Sequence, residues 1–208
     1  MTTTPQQRLY AIIGAGIVWF ALVLQFALIP ENPEIPAATA IVNYFSYFTI
    51  LSNILVALCL TASALGRRGF FLKPGTQTAI VIYIVIVGLV YNAVLRFQWA
   101  PKGMARLADE LLHSVAPLLF LVYWLLFTSK EQLQWKHIPA WLLFPLIYLG
   151  YTLVRGSLMH FYPYPFLDID KLGYASAVLN CLWVTIAFIL CSLLFVALAK
   201  AWKKKPLT

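Results

Sequence analysis

Residues 104–127 read MARLADELLHSVAPLLFLVYWLLF. At a helical rise of about 1.5 Å per residue this stretch is long enough to cross a hydrocarbon layer about 30 Å thick, and beyond Glu110 it carries no charge apart from the titratable ring of His113. An ionisable side chain in hydrocarbon costs at least about 2.5–3.5 kcal/mol, so Asp109 and His113 must face the inside of a bundle. Their i, i+4 spacing puts them on one stripe. The segment therefore reads as one helix of several, with polar partners supplied by its neighbours.

On either side of it, five further runs have the same length and apolar character: Leu9 to Ile29, Thr39 to Leu65, Gln77 to Trp99, Ile138 to Leu158 and Leu172 to Trp202. Short polar or proline-rich breaks separate them, PENPEIP, LGRRGFFLKPG, WAPKG, TSKEQLQWK and HFYPYPFLDIDK. The reading is an all-α polytopic integral membrane protein of six transmembrane helices, a single domain over residues 1–208. Composition agrees, with 62% hydrophobic and 11% charged residues, where soluble domains run nearer ~45–50% and ~25%. A soluble enzyme of ordinary design is excluded. Ala38-Thr39-Ala40 resembles a signal-peptidase site, but the preceding apolar run exceeds the ~7–15 residues of a signal core, so the first run is read as a retained helix.

The formal charge of +8 does not indicate nucleic acid, because the basic residues flank apolar runs without interleaved stacking aromatics. Arg8, Arg67, Arg68, Lys73, Lys130, Lys136, Lys200, Lys203, Lys204 and Lys205 fall on one side. Lys102, Arg106, Lys171, Arg96 and Arg155 fall on or near the other, with Glu31, Glu34, Asp109, Glu110, Asp168 and Asp170. The positive-inside rule places both termini in the cytoplasm. Cys59, Cys181 and Cys191 lie in apolar runs without CxxC spacing, and three scattered histidines give no coordination sphere, so neither metal nor cofactor is expected.

On a continuous second helix Ser46, Thr49 and Asn53 at i, i+3 and i+7 fall within about 60° of one another. Ser46 would lie roughly 10 Å, Thr49 roughly 15 Å and Asn53 roughly 21 Å from the outer end, against roughly 8 Å for Asp109 and 14 Å for His113. A hydroxyl and an imidazole share a level. Asn92 and Arg96 on the third helix, Arg155 on the fifth and Asn180 on the sixth bring further polar groups to the same half. Pro117 removes the amide that would bond the His113 carbonyl, which predicts a kink and a carbonyl in need of water or a neighbour.

This set suits nucleophilic acyl transfer. A Ser46 or Thr49 hydroxyl becomes a competent nucleophile when a neutral imidazole, His113, takes its proton. Asp109 would orient the ring, and Asn53, Asn92, Asn180 or an arginine would donate to a developing oxyanion. Beside this stands a structural reading, in which hydroxyls bond back to their own helices and Asp109 pairs with Arg96 or Arg155. The tryptophans and most tyrosines read as interfacial anchors or packing.

Three segments, NYFSYFTILSN, DELLHSVAPLLFL and RGSLMHFYPYPFLDI, resemble the androgen-induced and androgen-dependent-TFPI-regulating family of six-helix membrane proteins, in particular its prokaryotic relatives. By its animal members the resemblance implies an intramembrane threonine hydrolase that cleaves fatty acid esters of hydroxy fatty acids, and by its prokaryotic relatives a bacterial cytoplasmic membrane. It places the family histidine on His113. Matching the aromatic frame puts Ser46 at the family's threonine and Asn53 at its glutamine, with Thr49 one turn deeper. The expected partners are membrane lipids and a lipid-ester or fatty-acid substrate held partly by Arg155. The rival from another class is a non-enzymatic membrane protein in which Arg96 and Arg155 receive an anionic solute or headgroup.

Overall fold

The computed structural model describes residues 3–29 and 35–202. Glu31, Glu34, Lys203, Lys204 and Lys205, used above for orientation, lie outside the described residues. Among those described there are helices and no strand. Five helices are each long and apolar enough to cross a membrane, and a bent pair makes a sixth candidate. The chain forms two compact units, Met1–Gln132 and Leu133–Thr208.

The first unit holds α1 (Pro5–Ala27), α2 (Ala37–Tyr44), α3 (Phe48–Ala64), α4 (Pro74–Ala93), α5 (Gly103–Glu110) and α6 (Ala116–Phe127). α1 starts on a Thr4 cap with Pro5 in its first turn, where a missing N–H costs nothing. Its buried face, Ala11, Gly14, Ala15, Val18, Ala21 and Leu22, is a stripe of mostly small residues that lets it lie close along α3. A Cβ on Gly14 would sit 3.2 Å from Leu60 Cδ1 and 2.9 Å from Leu119 Cδ2.

The continuous second span expected from Thr39 to Leu65 is corrected by the structure: α2 and α3 meet at 64° across Phe45–Tyr47. The backbone tightens there, with Ser46 N–H on Asn43 O and Tyr47 N–H on Tyr44 O, and Tyr47 is extended at φ −83° and ψ 128° before α3 begins. The Ser46 hydroxyl donates to Val42 O at 2.7 Å, the local bond by which serine competes with a helix ladder. Tyr44 fixes the bend by donating to Leu22 O on α1 at 2.8 Å.

The fourth run is also subdivided. Between α5 and α6, Leu111–Val115 form one turn of π-helix with His113 at its centre. At the far end of the same unit, the buried Tyr123 hydroxyl gathers α1, α3 and α4 by accepting from Gln7 and Gln77 and donating to Ser63.

The second unit holds α7 (Ile138–Met159), the short α8 (Ile169–Leu172) and α9 (Tyr174–Trp202). Between α7 and α8 the YPYPFLD segment folds back: Tyr162 occupies the space a Cβ on Gly156 would need, and Tyr164 stacks on Phe166 at 5.3 Å.

Candidate functional site

The π-turn is where the site is built, and its hydrogen bonds explain which side chains surround it. Ala116 N–H, which an α-helix would direct to Leu112 O, bonds Leu111 O instead. The following residue is Pro117, which has no N–H to offer. Leu112 O has therefore lost both its α and its π donor, and His113 O has lost its α donor. Two asparagines replace them. Asn53 Nδ2 donates to Leu112 O at 3.2 Å and to Thr49 O at 2.9 Å, while Asn92 Nδ2 donates to His113 O at 3.4 Å and to Gly88 O at 2.8 Å. The carbonyl expected to need a partner below Pro117 finds one in Asn92.

Close packing allows this. A Cβ on Gly88 would lie 3.1 Å from Pro117 Cβ and 3.3 Å from His113 O, so α4 approaches the π-turn through a glycine. Both amide hydrogens of Asn53 and both of Asn92 point at backbone oxygens, so these residues hold the turn.

The turn presents His113 between two elements. Its Nδ1 lies 3.0 Å from Asp109 Oδ1 and 2.9 Å from Asp109 O, two acceptors that fix the proton on Nδ1. Nε2 then carries the lone pair, and Thr49 Oγ1 lies 3.3 Å from it. Tyr91 on α4 completes the arrangement. Its hydroxyl donates to Asp109 Oδ2, and its ring stacks on the His113 ring with centroids 4.1 Å apart and planes 15° apart. Thr49, Asp109 and Tyr91 are buried at 5%, 8% and 3% exposure, so the carboxylate is compensated by donors rather than by water.

Thr49 is the second residue of α3, a position that exists only because the helix is broken at Phe45–Tyr47. The first bond of α3 runs from Leu51 N–H to Tyr47 O, which puts the positive end of the α3 dipole at Thr49. Ser46 sits in the break itself and no longer shares a helical stripe with Thr49 and Asn53. The common face expected for all three is therefore reduced to Thr49 and Asn53.

One stripe round the same helix lies a second polar rung. Arg96, in a short 3₁₀ turn after α4, donates from Nη2 to Glu110 Oε2 at 2.6 Å and to Ser114 Oγ at 3.0 Å, and Ser114 donates back to Glu110 Oε2 at 3.0 Å. The expected ion pair of Arg96 with Asp109 is thus an ion pair with Glu110. The guanidinium lies 5.2 Å from the centroid of the Tyr91 ring. Comparison with protein-family models, with curated proteins and with solved structures finds no match.

Arg155 and Asn180 belong to the second unit. Arg155 lies over the Phe161 ring at 4.6 Å, and Asn180 Nδ2 donates to Phe166 O at 2.9 Å, tying the YPYPFLD segment to α9. Tyr91, Glu110 and Ser114 are not among the site residues expected from the sequence. The signal for two of them was present, since Glu110 and Ser114 repeat the i, i+4 spacing of Asp109 and His113 one residue on.

Proposed function

We propose that the protein is an intramembrane hydrolase of lipid esters, with Thr49 as nucleophile, His113 as general base and acid, and Asp109 as the residue that orients and charge-balances the imidazole. The observation that carries this is the continuous relay from Thr49 Oγ1 to His113 Nε2 and from His113 Nδ1 to Asp109 Oδ1. Resemblance to the androgen-induced and androgen-dependent-TFPI-regulating family supports the same reaction class. The apolar helices support an integral membrane protein, and the Lys and Arg distribution supports cytoplasmic termini in a bacterial cytoplasmic membrane.

The proposed reaction uses this arrangement. Thr49 Oγ1 attacks the ester carbonyl as His113 Nε2 removes its proton, and the 3.3 Å contact shortens as charge develops. The imidazolium is stabilised by Asp109, whose second oxygen is held by Tyr91. The carbonyl oxygen gains its negative charge beside the N-terminal turn of α3. Collapse breaks the bond to the leaving alcohol, which takes the proton from His113. Water then attacks the acyl-threonine by the same route in reverse, releasing a fatty acid and restoring Thr49.

Fluorophosphonate labelling tests the reading. Purified protein in detergent forms a covalent adduct whose peptide map places it on Thr49, and His113→Ala abolishes it. An unlabelled protein, with lipid-ester turnover unchanged in His113→Ala, would overturn the proposal in favour of a non-enzymatic lipid- or anion-binding protein.

A further inference from the structure

The two polar rungs on the π-turn helix differ in kind. In the inner one, Thr49 and Asp109 are buried, the His113 side chain is 13% exposed, and the polar atoms face one another. In the outer one, the Arg96 and Glu110 side chains are 35% and 33% exposed, and they use only one arm each, Nη2 and Oε2. Among the described residues Arg96 Nη1 and Glu110 Oε1 have no partner, and Arg96 Nε is buried without one. A half-exposed ion pair that merely stabilised the fold would gain by a bidentate fork, which this one does not form.

Tyr91 lies against both rungs. Its ring stacks on His113 at 4.1 Å and lies 5.2 Å from the Arg96 guanidinium, so the outer rung stands about one ring away from the inner one. A ligand that seats its polar head on Arg96 and Glu110 can place a carbonyl at Thr49 only if a short run of bonds separates the two. The charges also select. A lone anion would meet one guanidinium and the two carboxylates of Glu110 and Asp109, and a lone cation would meet the guanidinium. A head carrying both signs matches the free donor and the free acceptor together.

We infer that Arg96 and Glu110 form the headgroup site of the proposed hydrolase and that its substrate is a phosphoethanolamine glycerolipid. The phosphate accepts from Arg96 Nη1, the primary ammonium donates to Glu110 Oε1, and the nearest glycerol ester reaches Thr49. The products are a lysophospholipid and a fatty acid, with water consumed. This rests on the hydrolase reading and narrows its substrate.

The full chain is assayed in mixed micelles of phosphatidylethanolamine or of phosphatidylglycerol with identical acyl chains, beside native mass spectrometry of lipid retention and fluorophosphonate labelling. Loss of one charge-assisted contact is expected to raise KM about tenfold. Wild type favours phosphatidylethanolamine in KM and retention, and Glu110→Gln brings both to the phosphatidylglycerol level. Arg96→Gln weakens both lipids. Retention of phosphatidylethanolamine that is lost in Glu110→Gln, with Thr49 unlabelled, would sustain the headgroup site and remove the hydrolase. Labelled Thr49 with both lipids bound alike in wild type and Glu110→Gln would overturn the headgroup site and leave the hydrolase standing.

Discussion

Tyr91 lies flat on His113 and donates its hydroxyl to Asp109, so one side chain constrains two members of the relay. The stack limits rotation of the imidazole, and the phenol supplies the carboxylate with a donor that water would otherwise provide. Tyr91→Phe keeps the stack and deletes the donor. The expected outcome is a stability loss of about 1–3 kcal/mol, from a buried charged acceptor left short of a partner, and slower fluorophosphonate labelling. Thermal unfolding in detergent and labelling kinetics check both.

The break between α2 and α3 separates the two candidate hydroxyls. Ser46 donates to Val42 O in the bend, and Thr49 faces His113 from the first turn of α3. Thr49→Ala should therefore abolish labelling, Thr49→Ser should retain it because the hydroxyl keeps its place, and Ser46→Ala should retain it with a shift in stability near 1 kcal/mol. A peptide map of the adduct in each variant decides between them.

Hydrophobic run length was enough to find the helices, because a spanning helix is set mainly by its mean apolarity, and Asp109 with His113 declared a shared face by spacing alone. The 64° bend was not legible. NYFSYFTILSN holds no proline or glycine, and the bend depends on Tyr44 reaching α1, a contact remote in sequence. Depth counted along a straight helix slightly favours Thr49, while the aromatic frame of the family resemblance favours Ser46. Pro117 did announce a broken ladder, but spacing could not say that the turn would become π-helical. Nor could it show that Asn53 and Asn92 would spend their donors on its carbonyls. Tyr91 was hidden for another reason. An aromatic residue in an apolar helix looks the same whether it anchors, packs or buttresses a histidine.

Lys130, in the connection after α6, is buried at 8% exposure with its ammonium on Trp124 O and on Leu125 O at 2.8 Å, over the Trp124 ring at 4.6 Å. Burial pushes its pKa down to about 8 from 10.5. Between those values the unfolded chain holds a proton that the folded chain has released, so folding stability gains with rising pH across that window. The melting midpoint of wild type is expected to rise from pH 8 to pH 10 relative to Lys130→Met, in which this contribution is absent. Parallel pH profiles for the two proteins would contradict the assignment.

Asn92 and Pro117 should be energetically coupled through the His113 carbonyl. Asn92→Leu removes the donor that Pro117 makes necessary, at an expected cost of about 0.5–1.5 kcal/mol for one lost hydrogen bond. Pro117→Ala restores an N–H four residues beyond His113, so the carbonyl can return to the helix ladder. In the double variant the Asn92→Leu cost should shrink, giving a coupling energy of roughly 0.5–1.5 kcal/mol rather than simple additivity. Activity should not follow stability. Restoring α-helical bonding rotates the turn that aims His113 at Thr49, so Pro117→Ala should label more slowly while unfolding at an equal or higher temperature. Additive stabilities together with unimpaired labelling would show that the π-turn neither needs Asn92 nor positions the base.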